Sequence, residues 1–347
     1  MTYHVHLARS RLRFEVEPGE TVLAAGLRQH LALPFGCQSG TCASCRVRLL
    51  EGSVEHGAAE RALSQAERDA GYILMCQARP RSDLELRLDQ PERLQELRPR
   101  RLPVRVLARS ALSHDVVGLV VRLPQGEPFR YLPGQYVDFL AADGRRRSFS
   151  IANAPPDYGT GGQASPAATL EFHLRVTPGG WFAHYAQESM PERAILRLEG
   201  PLGAFYVRED SDRVPLLMAG GTGFAPIKAM LEAQFRNGLP RPFHLFWGAR
   251  SWRDLYLHEL AQDWTRQYST FRYTPVLSEP DADWTGERGF VHEALLRAYP
   301  KLAGHEVYMA GPPVMVHAGK QAFAQAGLDA DHLYYDSFDY AFETWGK

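Results

Sequence analysis

Apolar and polar positions change their rhythm three times along this chain. The opening stretch "MTYHVHLARSRLRFEV" alternates like a first strand, and short strand patterns continue to about residue 90. A charged Pro/Arg-rich stretch around "RLQELRPRR" follows and reads as a linker. From about 102 to 210, alternating runs such as "LPVRVLARS", "VVGLVVRLP", "QYVDFLAA" and "TLEFHLRV" are separated by Gly, Pro and Asp turns, which predicts an antiparallel barrel. Beyond about 214, short apolar strands ("VPLLMAG", "PFHLFWGAR", "HEVYMAG") alternate with helical spacing, as in "APIKAMLEAQFRNG". That alternation predicts a parallel sheet covered by helices. The expected layout is a domain over 1–90, a linker over 91–101, a domain over 102–210 and a domain over 211–347. "DYGTGGQASPAA", residues 157–168, reads as a loop.

Composition narrows the function classes. A length of 347 residues suits two or three domains, and 45% apolar residues can supply a core for each. A net charge of −1 gives no basic field for nucleic acid. The most apolar stretch, "VPLLMAGGTGFAPIKAML", is interrupted by glycines, Pro226 and Lys228, so no membrane insertion is expected. The N-terminus lacks the apolar core of a secretion signal, and a cytoplasmic location is expected. "HEAL" and "HEL" lack the second histidine of a zinc-protease helix, and no Ser/His/Asp set stands out.

The four cysteines carry the strongest signal. Cys37, Cys42 and Cys45 lie in "GCQSGTCASC", and Cys76 follows in "YILMCQARP". The spacing C-x4-C-x2-C with a distant fourth cysteine is that of a plant-type [2Fe–2S] cluster. Gly36, Gly40 and the small residues between allow the backbone to curl closely around the sulfides. Two alternatives are weaker. Structural zinc favours two close pairs, whereas Cys76 has no near mate. Two disulfides would suit a secreted chain.

With "YLPGQYVDF", "RSFSIAN", "RVTPGGWF", "AGGTGFAPIK" and "MAGPPVM" in this order, the chain resembles the iron–sulfur flavoprotein reductases. In these a plant-type ferredoxin domain is fused to a ferredoxin–NADP reductase-like module. Within that group it is similar to CDP-6-deoxy-delta-3,4-glucoseen reductase-like proteins and to oxygenase reductase components. The resemblance implies a multidomain α+β and α/β fold: a β-grasp ferredoxin domain, an antiparallel six-stranded FAD-binding β-barrel, and a parallel-sheet α/β nucleotide-binding domain.

The resemblance also implies roles. Arg147 would meet the flavin pyrophosphate, Phe149 would pack on the flavin ring, and Ser150 would hydrogen-bond near its reacting nitrogen. These residue types suit phosphate, a flat heterocycle and a ring nitrogen respectively. Gly179 and Gly180 would open a helix whose amides hold the pyrophosphate. Gly220, Gly221, Thr222 and Gly223 would receive the nicotinamide dinucleotide, with Gly311 and Pro312 beside it, and Phe338 would cover the flavin. Cofactors are then a [2Fe–2S] cluster, FAD and NADH, with NADPH as the alternative donor. Arg250 and Arg253 could pair a 2′-phosphate, but Asp254 would repel one if it faced the same way.

Electrons would pass from NADH through FAD to the cluster and singly to a partner protein. An oxygenase component is the first expectation and a deoxysugar dehydrase the alternative. A third reading, a redox-sensing ferredoxin module on a degenerate flavoprotein, rests on two departures from the family pattern. Ala183 stands where Ser or Thr is common, and Ala310 stands where Cys is usual.

Overall fold

The computed structural model describes residues 2–8, 12–29, 31, 33–35, 38–40, 43–57, 62–88, 97–127, 129–156 and 167–338. Two compact units emerge: Met1–Pro99 with Leu202–Ala204, and Arg100–Pro201 with Phe205–Lys347. The segments carrying the flavin and nucleotide motifs therefore share one unit.

In the first unit, β1 (Tyr3–Leu7), β2 (Arg13–Val16), β3 (Arg46–Glu51), β5 (Tyr72–Leu74) and β7 (Leu84–Arg87) form one sheet in the order β2-β1-β7-β3-β5. The pairing of β1 with β7 is parallel and the other pairings are antiparallel. Val5, Leu7, Phe14, Val16, Leu84 and Leu86 are buried, as period-two alternation demands. Helix α1 (Val22–Arg28) starts where Thr21 accepts the Ala24 N–H, a cap worth about 1 kcal/mol. It buries Val22, Leu23 and Ala25. Helix α2 (Gln65–Asp69) begins with a reciprocal Ser64–Glu67 capping box. The small ladder of β4 (Val54–Glu55) with β6 (Arg79–Pro80) completes the β-grasp arrangement.

The second unit contains two sheets. Strands β8 (Arg100–Ala111), β9 (Val116–Arg122), β10 (Tyr136–Leu140), β11 (Arg146–Ser150), β12 (Thr169–Arg175) and β13 (Ile195–Leu202) are ordered β11-β10-β13-β8-β9-β12. Their described pairings are antiparallel. Among the described residues, the closure expected of a barrel consists of one bridge, Ile151 to Phe172, joining the ends of the row. Phe139, Phe172, Leu119, Val121 and Leu198 fill the interior. Short helix α3 (Trp181–His184) runs into a wider π turn, Tyr185–Ser189.

The other sheet is parallel. It comprises β14 (Val214–Gly220), β15 (Phe243–Ala249), β16 (Phe271–Leu277), β17 (Glu287–Arg288), β18 (His305–Gly311) and β19 (Leu333–Ser337), in the order β17-β16-β15-β14-β18-β19. Helices α4 (Phe224–Arg236), α5 (His258–Gln267), α6 (Val291–Ala298) and α7 (Pro313–Gln325) cover it. The continuous apolar run of β14 follows from burial on both faces. Leu217 and Ala219 join one core with Phe224 and Ile227, while Leu216 and Met218 join another with Val291 and Phe323. No described helix is long and apolar enough to cross a membrane.

Candidate functional site

Cys45 and Cys76 are brought together by the sheet of the first unit. Arg46 pairs with Leu74 across β3 and β5, and the Met75 N–H donates to Cys45 O at 3.1 Å. Both cysteines are buried. Gln77 Nε2 lies 3.8 Å from Cys76 Sγ and donates to Gln38 O at 3.2 Å, which ties the loop at residue 38 to Cys76. Gln38, Gly40 and Ala43 all have positive φ, of 57°, 80° and 53°. Two non-glycine residues in that region mark a tightly curled loop. Buried soft thiol donors under such a loop suit an iron–sulfur group. Cys37 and Cys42 lie outside the described residues.

On β11, Arg147 and Phe149 share a face and are both half-buried. The Phe149 ring lies 5.4 Å from that of Phe182 and 6.1 Å from that of Phe139, so core aromatics support it from within. Ser148 donates to Asp138 at 2.6 Å on the opposite face. Ser150, at the strand end, is buried, and its Oγ lies 3.3 Å from Asp336 Oδ2 on β19. Gly179 has φ 78°, and a Cβ on Gly180 would lie 2.9 Å from Thr177 Oγ1. This pair thus needs glycine for two separate reasons, a left-handed turn and a close approach. The helix expected after it is a single α turn before the π turn, with Ala183 buried. A half-exposed aromatic and guanidinium beside a glycine turn fit a flavin nucleotide.

The nucleotide motif closes on itself. After β14, Gly221–Gly223 make a 3₁₀ turn and α4 begins at Phe224. A Cβ on Gly223 would overlap the Ala310 carbonyl. A Cβ on Gly220 would meet Pro312 Cδ at 3.0 Å, and one on Gly311 would meet Gly220 O at 3.0 Å. Gly220, Gly223, Gly311 and Pro312 therefore form one tight junction at the ends of β14 and β18. Thr222 is buried in it. Ala310 pairs with Ala219 on one side and Asp336 on the other. Phe338 N–H donates to Gly311 O at 2.9 Å, so the half-buried Phe338 follows directly on this junction.

Several groups here carried little sequence signal. Asp336 was one carboxylate in an aromatic run. Lys228 stood out only as a cation interrupting an apolar stretch, yet its Nζ lies 3.1 Å from Glu171 Oε2 and 2.8 Å from Glu232 Oε1. His173 is buried, with Nε2 2.9 Å from Glu171 Oε1 and Nδ1 3.0 Å from Tyr256 OH. Burial lowers the His173 pKa against the pull of Glu171, so the ring is held neutral. A proton on Nε2 satisfies both partners. Burial would raise the Glu171 carboxyl, but His173 and Lys228 outweigh it and bring it down to about 2.

Asp254 does not face outward beside Arg250 and Arg253. It is buried and accepts from Ser251 N and Oγ, both at 2.9 Å. Burial raises its carboxyl, and those bonds with Arg175 and His114 hold it below the ordinary range. Arg250 and Arg253 are exposed at the end of β15, so Asp254 does not face the same way as they do. His114, Asp115 and Asp254 gather within 4.8 Å. Arg175 pairs with Asp115 at 2.7 Å and lies 3.9 Å from Asp254, so a guanidinium already neutralises that group.

Residues 5–81 match the 2Fe-2S iron-sulfur cluster binding domain, 103–206 the oxidoreductase FAD-binding domain and 217–321 the oxidoreductase NAD-binding domain. The chain is 34% identical to the CDP-6-deoxy-L-threo-D-glycero-4-hexulose-3-dehydrase reductase of Yersinia pestis, covering 97% of this chain and 99% of the relative. It is 33% identical to the phenol hydroxylase P5 protein of Acinetobacter pittii, covering 97% and 95%. The crystal structure of an Amycolatopsis cytochrome P450 reductase superposes with a TM-score of 0.72 at 31% identity, covering 97% and 98%. The chain belongs to the iron–sulfur flavoprotein reductases, NAD(P)H-dependent oxidoreductases that join a [2Fe–2S] domain to FAD- and NAD-binding domains.

Proposed function

We propose that this reductase delivers electrons from NADH singly to an oxygenase component, from a cytoplasmic location. FAD supplies acceptance of a two-electron hydride, and the [2Fe–2S] cluster supplies single-electron carriage. Cys37, Cys42, Cys45 and Cys76 hold the irons. Arg147 pairs with the flavin pyrophosphate near Gly179 and Gly180, Phe149 lies against the flavin ring, and Ser150 hydrogen-bonds at its edge. Gly220, Gly221, Thr222 and Gly223 accept the dinucleotide, Gly311 and Pro312 seat the nicotinamide, and Phe338 shields the flavin.

The observation that carries this reading is the 3.3 Å approach of Ser150 Oγ to Asp336 Oδ2. It joins the end of the flavin strand to the end of the nucleotide sheet, which two reacting rings require. The oxygenase partner is supported by relatives named as the phenol hydroxylase P5 protein and terephthalate 1,2-dioxygenase reductase components. A deoxysugar dehydrase is the second reading, supported by the Yersinia relative. NADPH is the alternative donor, because Arg250 and Arg253 are exposed while Asp254 is turned inward. The test is NADH-driven cytochrome c reduction by the purified protein loaded with FAD and cluster. Its absence would favour the redox-sensor reading suggested by Ala183 and Ala310. Co-purification then separates the two partners.

A further inference from the structure

Lys228, Glu232 and Arg236 stand at positions i, i+4 and i+8 of α4 and so share one face. That face lies along the backbone that follows Ser150. Lys228 Nζ donates to Ala152 O at 3.0 Å. The Ala154 N–H donates to Glu232 Oε2 at 3.1 Å. Arg236 Nη1 donates to Ala154 O at 3.3 Å and also to Pro155 O. From the sheet side, Ala152 N donates to Glu171 O at 2.8 Å and Tyr131 OH donates to Asn153 O at 2.8 Å. Residues 152–155 are thus held between a strand and a helix, mostly through main-chain groups, with the Asn153 side chain donating to Thr169 O at 3.3 Å and accepting from the Glu171 N–H at 2.8 Å.

Stability alone gives a poor account of this choice. Lys228 is only 6% exposed. A buried ammonium needs several good partners to offset its desolvation, and an apolar side chain of similar size commonly serves stability as well or better. What the charges supply is direction. The same helix begins at the Gly221–Gly223 turn, so one rigid rod reaches the nucleotide junction at its start and the exit of β11 along its side.

We infer that Lys228 and Arg236 are positioning residues for electron transfer between nucleotide and flavin. They fix the exit of β11 against α4 so that Ser150 meets Asp336. The inference rests on the flavin and nucleotide assignments proposed above.

The test uses full-length protein with FAD and cluster bound, comparing Lys228→Met, Lys228→Arg and Arg236→Met with the parent. Displacement of reacting groups by about 1 Å can cost up to roughly a hundredfold, so a loosened strand predicts a kcat for NADH-driven ferricyanide reduction lower by about tenfold in Lys228→Met. The KM for NADH should stay within about twofold, because the dinucleotide contacts are untouched. Lys228→Arg should recover most of kcat. Arg236→Met, at the exposed end of the stripe, removes two carbonyl contacts without stranding a buried charge, and should lower kcat by about threefold with FAD content preserved. The visible circular dichroism of bound FAD should change in Lys228→Met and return in Lys228→Arg. Variants that bind FAD with parental dichroism and parental kcat overturn the inference, as does a rise in KM alone. The dichroism comparison stands whether or not NADH reduces the parent. Failure of the positioning role is thereby separated from failure of the functional assignment, which parental inactivity toward NADH would signal.

Discussion

Ser150 and Asp336 are 186 positions apart in sequence, yet their side-chain oxygens lie 3.3 Å apart. The serine ends the strand expected to flank the flavin, and the carboxylate lies on the nucleotide sheet opposite Ala310. Asp336→Asn keeps the shape and removes the charge. Reduction of bound FAD by NADH, followed by stopped-flow absorbance, should slow by about tenfold, which corresponds to about 1.4 kcal/mol in the barrier. Ser150→Ala should slow it similarly. The double variant should lose less than the sum, as groups acting together do.

Cys76→Ser should abolish the visible and electron paramagnetic resonance signals of the cluster while FAD remains bound, since cluster and flavin motifs lie in different segments of the chain. NADH–ferricyanide activity should survive and cytochrome c reduction should fall at least about tenfold. Equal loss of both activities would contradict the order of carriers.

Gly223→Ala places a methyl group into the Ala310 carbonyl, where only backbone can yield. Overpacking of this kind costs about 1–3 kcal/mol. The thermal midpoint should drop, and the KM for NADH should rise because the turn that receives the dinucleotide is displaced. A variant with parental midpoint and KM would show that the junction adapts freely.

Arg241 Nη1 meets Glu306 Oε1 at 2.8 Å, and Glu306 is fully buried, with Oε2 lacking a partner among the described residues. Arg241 also donates to the carbonyls of Arg213 and Arg208. Arg241→Met would leave a buried uncompensated carboxylate and should cost about 3–5 kcal/mol. Arg241→Met combined with Glu306→Met should cost less, which urea midpoints can show.

His244 sits between Tyr299 OH at 3.0 Å and Thr274 Oγ1 at 2.9 Å. Burial, then the nearby Arg272, moves its pKa from 6.5 down to about 4. The folded state therefore favours the neutral ring. Its contribution is full above pH 6.5 and is lost as pH falls toward 4. Thermal midpoints measured from pH 7.5 to 4.5 should fall less steeply for His244→Gln than for the parent. Glu171, held at about 2, stays ionised in the folded state throughout that range and adds slope only at its acid end, where the unfolded carboxyl begins to take up protons near 4.5.

Much of the architecture was legible because it rests on local periodicity. Alternating runs gave the antiparallel strands, and the apolar run of β14 gave a strand buried on both faces. The glycine motifs were legible for the same reason, since Gly180 and Gly223 answer steric demands set by near neighbours or one adjacent strand. Asp336, Lys228 and Arg175 were not. Apart from Glu232, four positions after Lys228, the partners described for them lie 57 to 186 positions away, where no spacing rule connects them. The orientation of Asp254 was left open for a related reason. Its neighbours in sequence do not say which way it faces, while Ser251 and Arg175 draw it inward. The dependence of a barrel on one bridge, Ile151 to Phe172, likewise has no local signature.

Ala310, seated between Ala219 and Asp336, puts a methyl group rather than a thiol at the end of β18. With the four cysteines of the chain proposed as iron ligands, an alkylating reagent would find no thiol where the nicotinamide is proposed to rest. Resistance of the flavin half to iodoacetamide and mercurials is the expected result of exchanging one small side chain for a smaller one, while the Met315 sulfur beside Gly220 keeps the spot oxidisable by peroxide.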